Sequence, residues 1–237
     1  MKDFRFQLTI FLSTAWLLAL TASSYTQAAV NDDIRERIER HQATGRLVVA
    51  GEEIAAREVL WNLYHENSHS PLWVKQSHID DLIDLVGRAE EEGLLPRDYH
   101  HEALMRLRQA SDTSAGGIAD FDILLTDSLM RYMYHMFFGK VNPADLDSDW
   151  NLRRTLDRDP TQLVAGAIAS DDIQQNISDA LTLHPYYEST KALLAENRQR
   201  AAVEGGGYPA VPAGPTLRKG MQSPRVAQLR KRLQASG

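Results

Sequence analysis

The sequence contains no cysteine. No thiolate is therefore available as nucleophile or metal ligand, and no disulfide can staple the fold, so a hydrophobic core must hold it. A basic excess is missing too. The 26 Lys and Arg against 32 Asp and Glu leave a formal net charge of −6. A nucleic-acid partner or an anionic membrane surface leaves a basic footprint, so both are disfavoured. The chain has no Gly-x-Ser-x-Gly elbow, no Gly-x-Gly-x-x-Gly and no phosphate-binding P-loop, and with them go the usual signals of a serine hydrolase or a nucleotide site. No stretch alternates apolar and polar residues over strand length.

What is present is ordinary globular material: 237 residues, 43% hydrophobic and 24% charged, enough for one substantial domain and part of a second. The first residues read as an address. Lys2 and Arg5 precede an apolar run, Leu8–Leu20, and small residues follow through Ala28 and Ala29. This is the layout of a secretory signal peptide over residues 1–29, cleaved after Ala28 or Ala29. The apolar run is short for a membrane span; the alternative is an uncleaved N-terminal anchor. The expected location is the periplasm, with membrane contact only through an uncleaved leader.

The mature chain predicts an all-α fold. Ile54, Val59, Leu60, Leu63 and Tyr64 recur at helical spacing within Glu52–Glu66. Ser77 through Asp80 resembles a capping box, ahead of a stripe of Ile79, Leu82, Ile83, Val86 and Ala89. Gly93 stands where a left-handed cap is wanted, and Pro96 blocks continuation. A third helix is expected over about Tyr99–Gln109. The strongest signal is Ile118–Phe138, apolar on more than one face and so expected at the centre. Asp145–Trp150 reads as irregular. Asp159-Pro160 supplies an N-cap and a first-turn proline for Thr161–Ala169. Ile173–Leu181 and Pro185 to about Val203 complete the helical region.

Glu204–Pro215 holds three consecutive glycines and three prolines and marks a boundary. Beyond it, Ser223 as N-cap and Pro224 as first helical residue open a short helix with Val226, Leu229 and Leu233 on one face. The organisation expected is a signal peptide at 1–29, a helical domain at 30–204, a linker at 205–216 and a final fragment at 217–237. About 22 residues cannot bury a core alone. The last helix is therefore expected to be loosely docked, with protease access near Gly205–Gly207.

One motif points to chemistry. His65-Glu66-Asn-Ser-His69 matches the zinc-peptidase string, in which two histidines one turn apart hold the metal and the glutamate activates water. That chemistry needs a helix running through the second histidine. Asn67 and Ser68 are poor helix formers, and Ser70 precedes Pro71, which pushes it out of the α region. His69 is thus expected at or beyond the helix end, and no third ligand is signalled nearby. His100 and His101 are adjacent and do not face each other on a helix. His135 lies in the apolar helix and reads as a hydrogen-bonded core residue. His184 precedes Pro185 and reads as a helix start. The acidic pairs Asp80-Asp81 and Asp171-Asp172 read as solvated helix starts. Paired carboxylates for glycoside cleavage stay open, since nothing singles a pair out. No catalytic residue, cofactor or metal is assigned.

Several strings, in order, resemble the N-terminal scaffold domain of the large bacterial murein L,D-transpeptidases. They are Tyr64-His-Glu-Asn67 with Pro71-Leu72-Trp73, Gly93 through His100, Asp122 through Ser128, Gly139 through Pro143, His184 through Tyr187, and Gly207 through Arg218. The pattern there asks for the tyrosine, the asparagine and the Pro-Leu-Trp, not for two histidines. Leu217–Leu233 is similar to the first helix of a three-helix peptidoglycan-binding module, of which about a third is present. The resemblance implies a catalytic domain beyond, whose cysteine attacks a stem-peptide carbonyl to form a thioester and passes the acyl group to a neighbouring amine. None of that chemistry maps onto a chain without cysteine.

The function expected is the exported scaffold portion of a peptidoglycan cross-linking protein, truncated and without activity of its own. Its partners would be peptidoglycan or cell-wall synthesis proteins. The alternatives are a stand-alone envelope protein that binds peptidoglycan or a partner, and a zinc metallopeptidase through His65 and His69. Arg218, Lys219, Arg225 and Arg230 are the candidate contacts to an anionic wall polymer, against the ordinary reading of a solvated helix face.

Overall fold

A computed structural model describes residues 27–141, 155–180, 185–203 and 209–235. Most of the leader, the irregular Asp145–Trp150 segment, His184 and the glycines at 205–207 fall outside these residues. Two compact units divide at Leu183/His184, and each is described by itself.

Among its described residues the first unit is helical apart from one short hairpin, in keeping with the all-α expectation. Helix α1 covers residues 27–44, where sequence periodicity assigned nothing. Val30, Ile34, Ile38 and His41 form its buried stripe, with charged residues between them that dilute the signal. Arg37 ties it to the rest through Asp120 (2.6 Å).

Strands β1 (Val48–Val49) and β2 (Glu52–Glu53) pair antiparallel, Val48 opposite Glu53. Their turn is Ala50-Gly51, with φ of 50° and 86°. Two left-handed residues are what a tight two-residue hairpin loop requires. The helix expected from Glu52 therefore begins only at Arg57: α2 spans Arg57–Glu66. Ile54, counted as helical from its spacing, instead continues the hairpin through Ile54 N–H to Leu47 C=O (2.9 Å).

Helix α3 runs Gln76–Gly87. The capping box at Ser77 is not formed. Lys75 holds the N-cap position without a side-chain bond, and Gln76 donates instead to Asp80 one turn on (2.8 Å). Gly93 does adopt the left-handed cap, at φ 76°. A short 3-10 turn, Pro96–Tyr99, leads into α4, His101–Ala110.

Helix α5, Ala115–Phe138, is the axis of the unit. Ser114 caps it by accepting from Gly117 N–H (3.1 Å). Ala119, Ile123, Leu124, Leu125 and Leu129 are all fully buried and point to more than one side. Helices α3 and α4, strand β1 and the Pro96–Tyr99 turn pack around it. Burying one such leucine stabilises by about 1.5–3 kcal/mol. Asp159 caps α6 (Pro160–Ala169) by accepting from Thr161 N–H at 2.8 Å, with Pro160 in the first turn as expected. Helix α6 packs on α2 and on α7, Ile173–Ala180. Asp172 starts α7, accepting from Gln175 N–H (2.8 Å).

The second unit contains α8, Tyr187–Val203, and α9, Pro224–Ala235. None of its described side chains is buried. Pro224 does open α9, but the Ser223 hydroxyl has no hydrogen-bond partner among the described residues. Val226 and Leu229 are half-buried, and Leu233 is 60% exposed. Among the described residues no helix is long and apolar enough to cross a membrane.

Candidate functional site

Two carboxylates on α5, five residues apart, organise the polar interior of the first unit. Asp122 is 3% exposed. Its carboxylate accepts from Tyr64 Oη (2.7 Å), Leu72 N (3.1 Å) and Trp73 N (2.9 Å). Thr126, one turn on, accepts from Trp73 Nε1 (3.0 Å). The chain reaches Asp122 because α2 stops at Glu66. Ser68 and His69 turn left-handed, His69 N–H closes back on Tyr64 C=O (2.7 Å), and Asn67 Nδ2 holds Ser70 C=O (3.0 Å). This termination places the Pro71-Leu72-Trp73 backbone against Asp122.

The second carboxylate, Asp127, is fully buried. One oxygen accepts from Ala55 N (3.1 Å) and Ala56 N (3.2 Å). The other accepts from His100 Nε2 (2.9 Å) and Arg131 Nε (2.6 Å). His100 is itself left-handed (φ 56°), and its Nδ1 faces Glu52 Oε2 at 3.0 Å. Both ring nitrogens of His100 are thus engaged, each by a carboxylate oxygen. Glu52, Asp127, His100 and Arg131 form one hydrogen-bonded cluster.

The two aspartates sit in different electrostatic settings. Burial pushes Asp122 up to about 6, because its donors are neutral and do not outweigh desolvation. Burial acts the same way on Asp127, but the hydrogen bond from His100 and the charge of Arg131 overcome it and hold the carboxyl below its ordinary value. Tyr64 is driven well up by burial and by Asp122, so it remains a phenol donor. Every oxygen of both carboxylates is engaged, so both serve as fasteners rather than as free acid or base.

Among the described residues, cavities of three kinds adjoin this framework. The polar one, about 560 Å³, is bounded by Glu52, Glu53, Arg97, Asp98, His100 and Arg131. An apolar groove of about 560 Å³ lies along the end of α5, with Met133, Tyr134, Phe137 and Phe138 facing Val59 and Leu163. The third, about 290 Å³, opens beside Trp73, Phe121 and Asp122.

The zinc string runs across the end of α2. Helix α2 ends before His69, and the two imidazole centroids stand 6.0 Å apart at 81°, with His65 stacked on Trp61. His69 Nε2 is buried without a hydrogen-bond partner, and burial together with the nearby His65 lowers the His69 pKa. No group of three or more His, Asp or Glu among the described residues is placed to hold a metal ion. His135 is half-buried and bonded to Tyr99 Oη (2.9 Å), as expected of a core histidine. Asp80 pairs with Arg108 (2.7 Å) and Asp171 with Lys75 (3.3 Å).

Of the four basic candidates, Arg218, Lys219 and Arg230 are exposed. Arg225 is occupied: its guanidinium donates to Pro212 C=O (2.8 Å) and Pro215 C=O (2.6 Å), folding the preceding segment onto α9. Sequence reasoning missed the His100 cluster. Adjacency argued only that His100 and His101 do not face each other, which is true, and said nothing about each alone. The available signal was two aspartates inside an otherwise apolar helix.

Residues 58–194, more than half of the chain, match the family model described as Scaffold domain. No curated protein and no solved structure matches.

Proposed function

The chain belongs to the Scaffold domain family, and on that premise we propose that it is the exported scaffold portion of a peptidoglycan cross-linking protein of the L,D-transpeptidase type. In this reading it supplies a rigid body and surfaces, not the acyl-transfer step. The carrying observation is the family match over residues 58–194, since scaffold domains of this kind occur in L,D-transpeptidases. The geometry supports the rigid-body part. Tyr64, Leu72-Trp73 and Asp122 through Asp127, distant in sequence, are fastened at two saturated buried carboxylates. The non-catalytic part follows from composition: with no cysteine, the thioester route has no nucleophile in these 237 residues.

Export, the periplasmic location and a peptidoglycan-binding role for residues 217–237 belong to the same reading. The exposed Arg218, Lys219 and Arg230 are its wall-polymer contacts. The test is co-sedimentation of the purified chain with isolated sacculi, followed by mass analysis of muropeptides after incubation. The reading expects salt-sensitive retention and no new cross-links. Cross-links made by the purified chain would overturn the non-catalytic assignment. Failure to sediment at low salt would overturn the wall-contact assignment.

A further inference from the structure

The polar cavity beside the His100 cluster has a charge pattern that the framework does not use up. Glu52 is taken by His100, and Arg131 by Asp127 and by the Glu53 backbone carbonyl. Asp98 is paired with Lys140 at 2.5 Å. Two lining charges are left, the Glu53 carboxylate and the Arg97 guanidinium. Both are exposed, and neither side chain has a hydrogen bond or ion pair among the described residues.

We propose that this cavity is a binding site for a small zwitterion, an amino acid or di- or tripeptide whose carboxylate is taken by Arg97 and whose ammonium is taken by Glu53. A guanidinium fork matches a carboxylate in two parallel hydrogen bonds, and a carboxylate accepts from an ammonium in the same charge-assisted way. A simple anion would meet the unpaired Glu53 carboxylate, and a simple cation the unpaired Arg97 guanidinium, so a ligand of one sign is opposed by one of the two. An apolar ligand finds a mainly polar lining in this cavity and suits the groove beyond Ala55 and Arg131 instead. The volume, about 560 Å³, lies in the ordinary range for small-molecule sites and leaves room for more than one residue. The floor is rigid, because His100 is 5% exposed and fastened on both nitrogens. The site stands whether or not the wall-protein reading does.

The test uses alanyl-alanine as probe, titrated into the purified chain and followed by NMR shifts or calorimetry. N-acetyl-alanyl-alanine, which lacks the ammonium, and alanyl-alaninamide, which lacks the carboxylate, are the comparison probes. Saturable binding of the zwitterion is expected, with each blocked form weaker by roughly tenfold or more, the scale of one charge-assisted contact. Arg97→Ala should remove the preference for the free carboxylate, and Glu53→Gln the preference for the free ammonium. Both positions are exposed, so an unchanged circular-dichroism spectrum and Tm are expected for each variant. Equal binding of all three probes, no saturation with the zwitterion, or unaltered preference in both variants would overturn the assignment.

Discussion

Replacing Asp122 by asparagine sets burial against hydrogen bonding at a single side chain. Asparagine keeps the shape and removes the charge. It also points an NH2 group at a set of donors: Tyr64 Oη, Leu72 N and Trp73 N. One donor facing another leaves a buried hydrogen bond unmade, which costs about 1–3 kcal/mol. At pH 7.5 the wild type carries its own penalty, an ionised carboxylate held in the interior. Burial pushes this group up to about 6 from an ordinary 3.8. The native state therefore binds a proton in a window where the unfolded chain does not, and stability attached to Asp122 rises as pH falls from about 6 to 4. At about 1.4 kcal/mol per pH unit, this gain is on the order of 3 kcal/mol. The amide of the Asp122→Asn variant cannot titrate. The stability gap between wild type and variant should therefore widen by that amount between pH 7.5 and pH 4, while other groups cancel in the difference. Urea unfolding followed by tryptophan fluorescence at four pH values measures it. Asp127→Asn is the internal control. That carboxyl lies below its ordinary value, so its gap should stay level down to pH 4 and narrow only beneath it. An Asp122→Asn gap that stays level or narrows in acid would refute the reasoning and show that three neutral donors outweigh desolvation.

Other substitutions probe the remaining features. His100→Ala strips Asp127 and Glu52 of a shared partner and leaves a non-glycine residue at φ 56°; a loss of about 3–5 kcal/mol in urea unfolding is expected, as for breaking one side of a buried ion pair. His41 is 1% exposed with both ring nitrogens unpartnered, and burial lowers its pKa from 6.5, with Arg57 adding to the effect and Asp127 opposing it. The unfolded chain then binds the proton first, so stability falls as pH drops through 6.5. His41→Leu should flatten that slope and stabilise at pH 5.5 by about 1–2 kcal/mol; a variant weaker than wild type at that pH would contradict the assignment. Gly139 ends α5 at φ 85° and ψ 159°, a region nearly closed to other residues, so Gly139→Ala should cost about 1–3 kcal/mol. A change under about 0.5 kcal/mol, the range of ordinary surface substitutions, would show that the chain relaxes there at little cost.

The helices with broad apolar faces were legible, and so were those with chemical punctuation. Ile118–Phe138 declared itself as the axis, Asp159-Pro160 as a start, Gly93 as a left-handed stop, and Ser70-Pro71 as the reason α2 ends before His69. Three things were not legible. The β1–β2 hairpin has two residues per strand and an alanine at a left-handed turn position, so neither alternation nor turn chemistry announces it. Helix α1 hides its stripe among charges that remain solvated on its other faces. Ser77 lost its capping role because Lys75 and Gln76 already start α3, a small shift of boundary that local preference does not resolve. At the site, the sequence displayed Asp122, Asp127 and His100 but not their partners. Those partners are mostly backbone N–H groups and residues some 30 to 70 positions away, as with Ala55 and Asp127, and spacing along one helix cannot reveal them.

The same fact constrains where function can reside. Asp122 and Asp127 each collect main-chain donors from a segment that has just left regular structure, 72–73 after α2 and 55–56 after β2. Such donors lack ladder partners, and burying them unbonded would cost about 1–3 kcal/mol apiece. A carboxylate on a fixed helix solves this for two groups at once, and its own charge is then tolerated in one of two ways. Asp122 relies on neutral donors and remains close to protonation, while Asp127 recruits His100, Arg131 and Glu52 into a hydrogen-bonded cluster. Both solutions consume every acceptor they create. A group so engaged cannot take a proton from a substrate or hold a ligand without releasing a loop. Recognition chemistry must therefore use charges outside the clusters, and the exposed Glu53 and Arg97, on the wall of a cavity whose floor is the Asp127 cluster, meet that condition. If the cavity takes a zwitterion, the buried cluster serves it indirectly, by keeping the walls at a fixed separation. Loosening the floor with His100→Asn, which tolerates the left-handed backbone, should then weaken alanyl-alanine binding while leaving the ranking of the three probes unchanged. Loss of the ranking itself would mean that His100 touches the ligand directly.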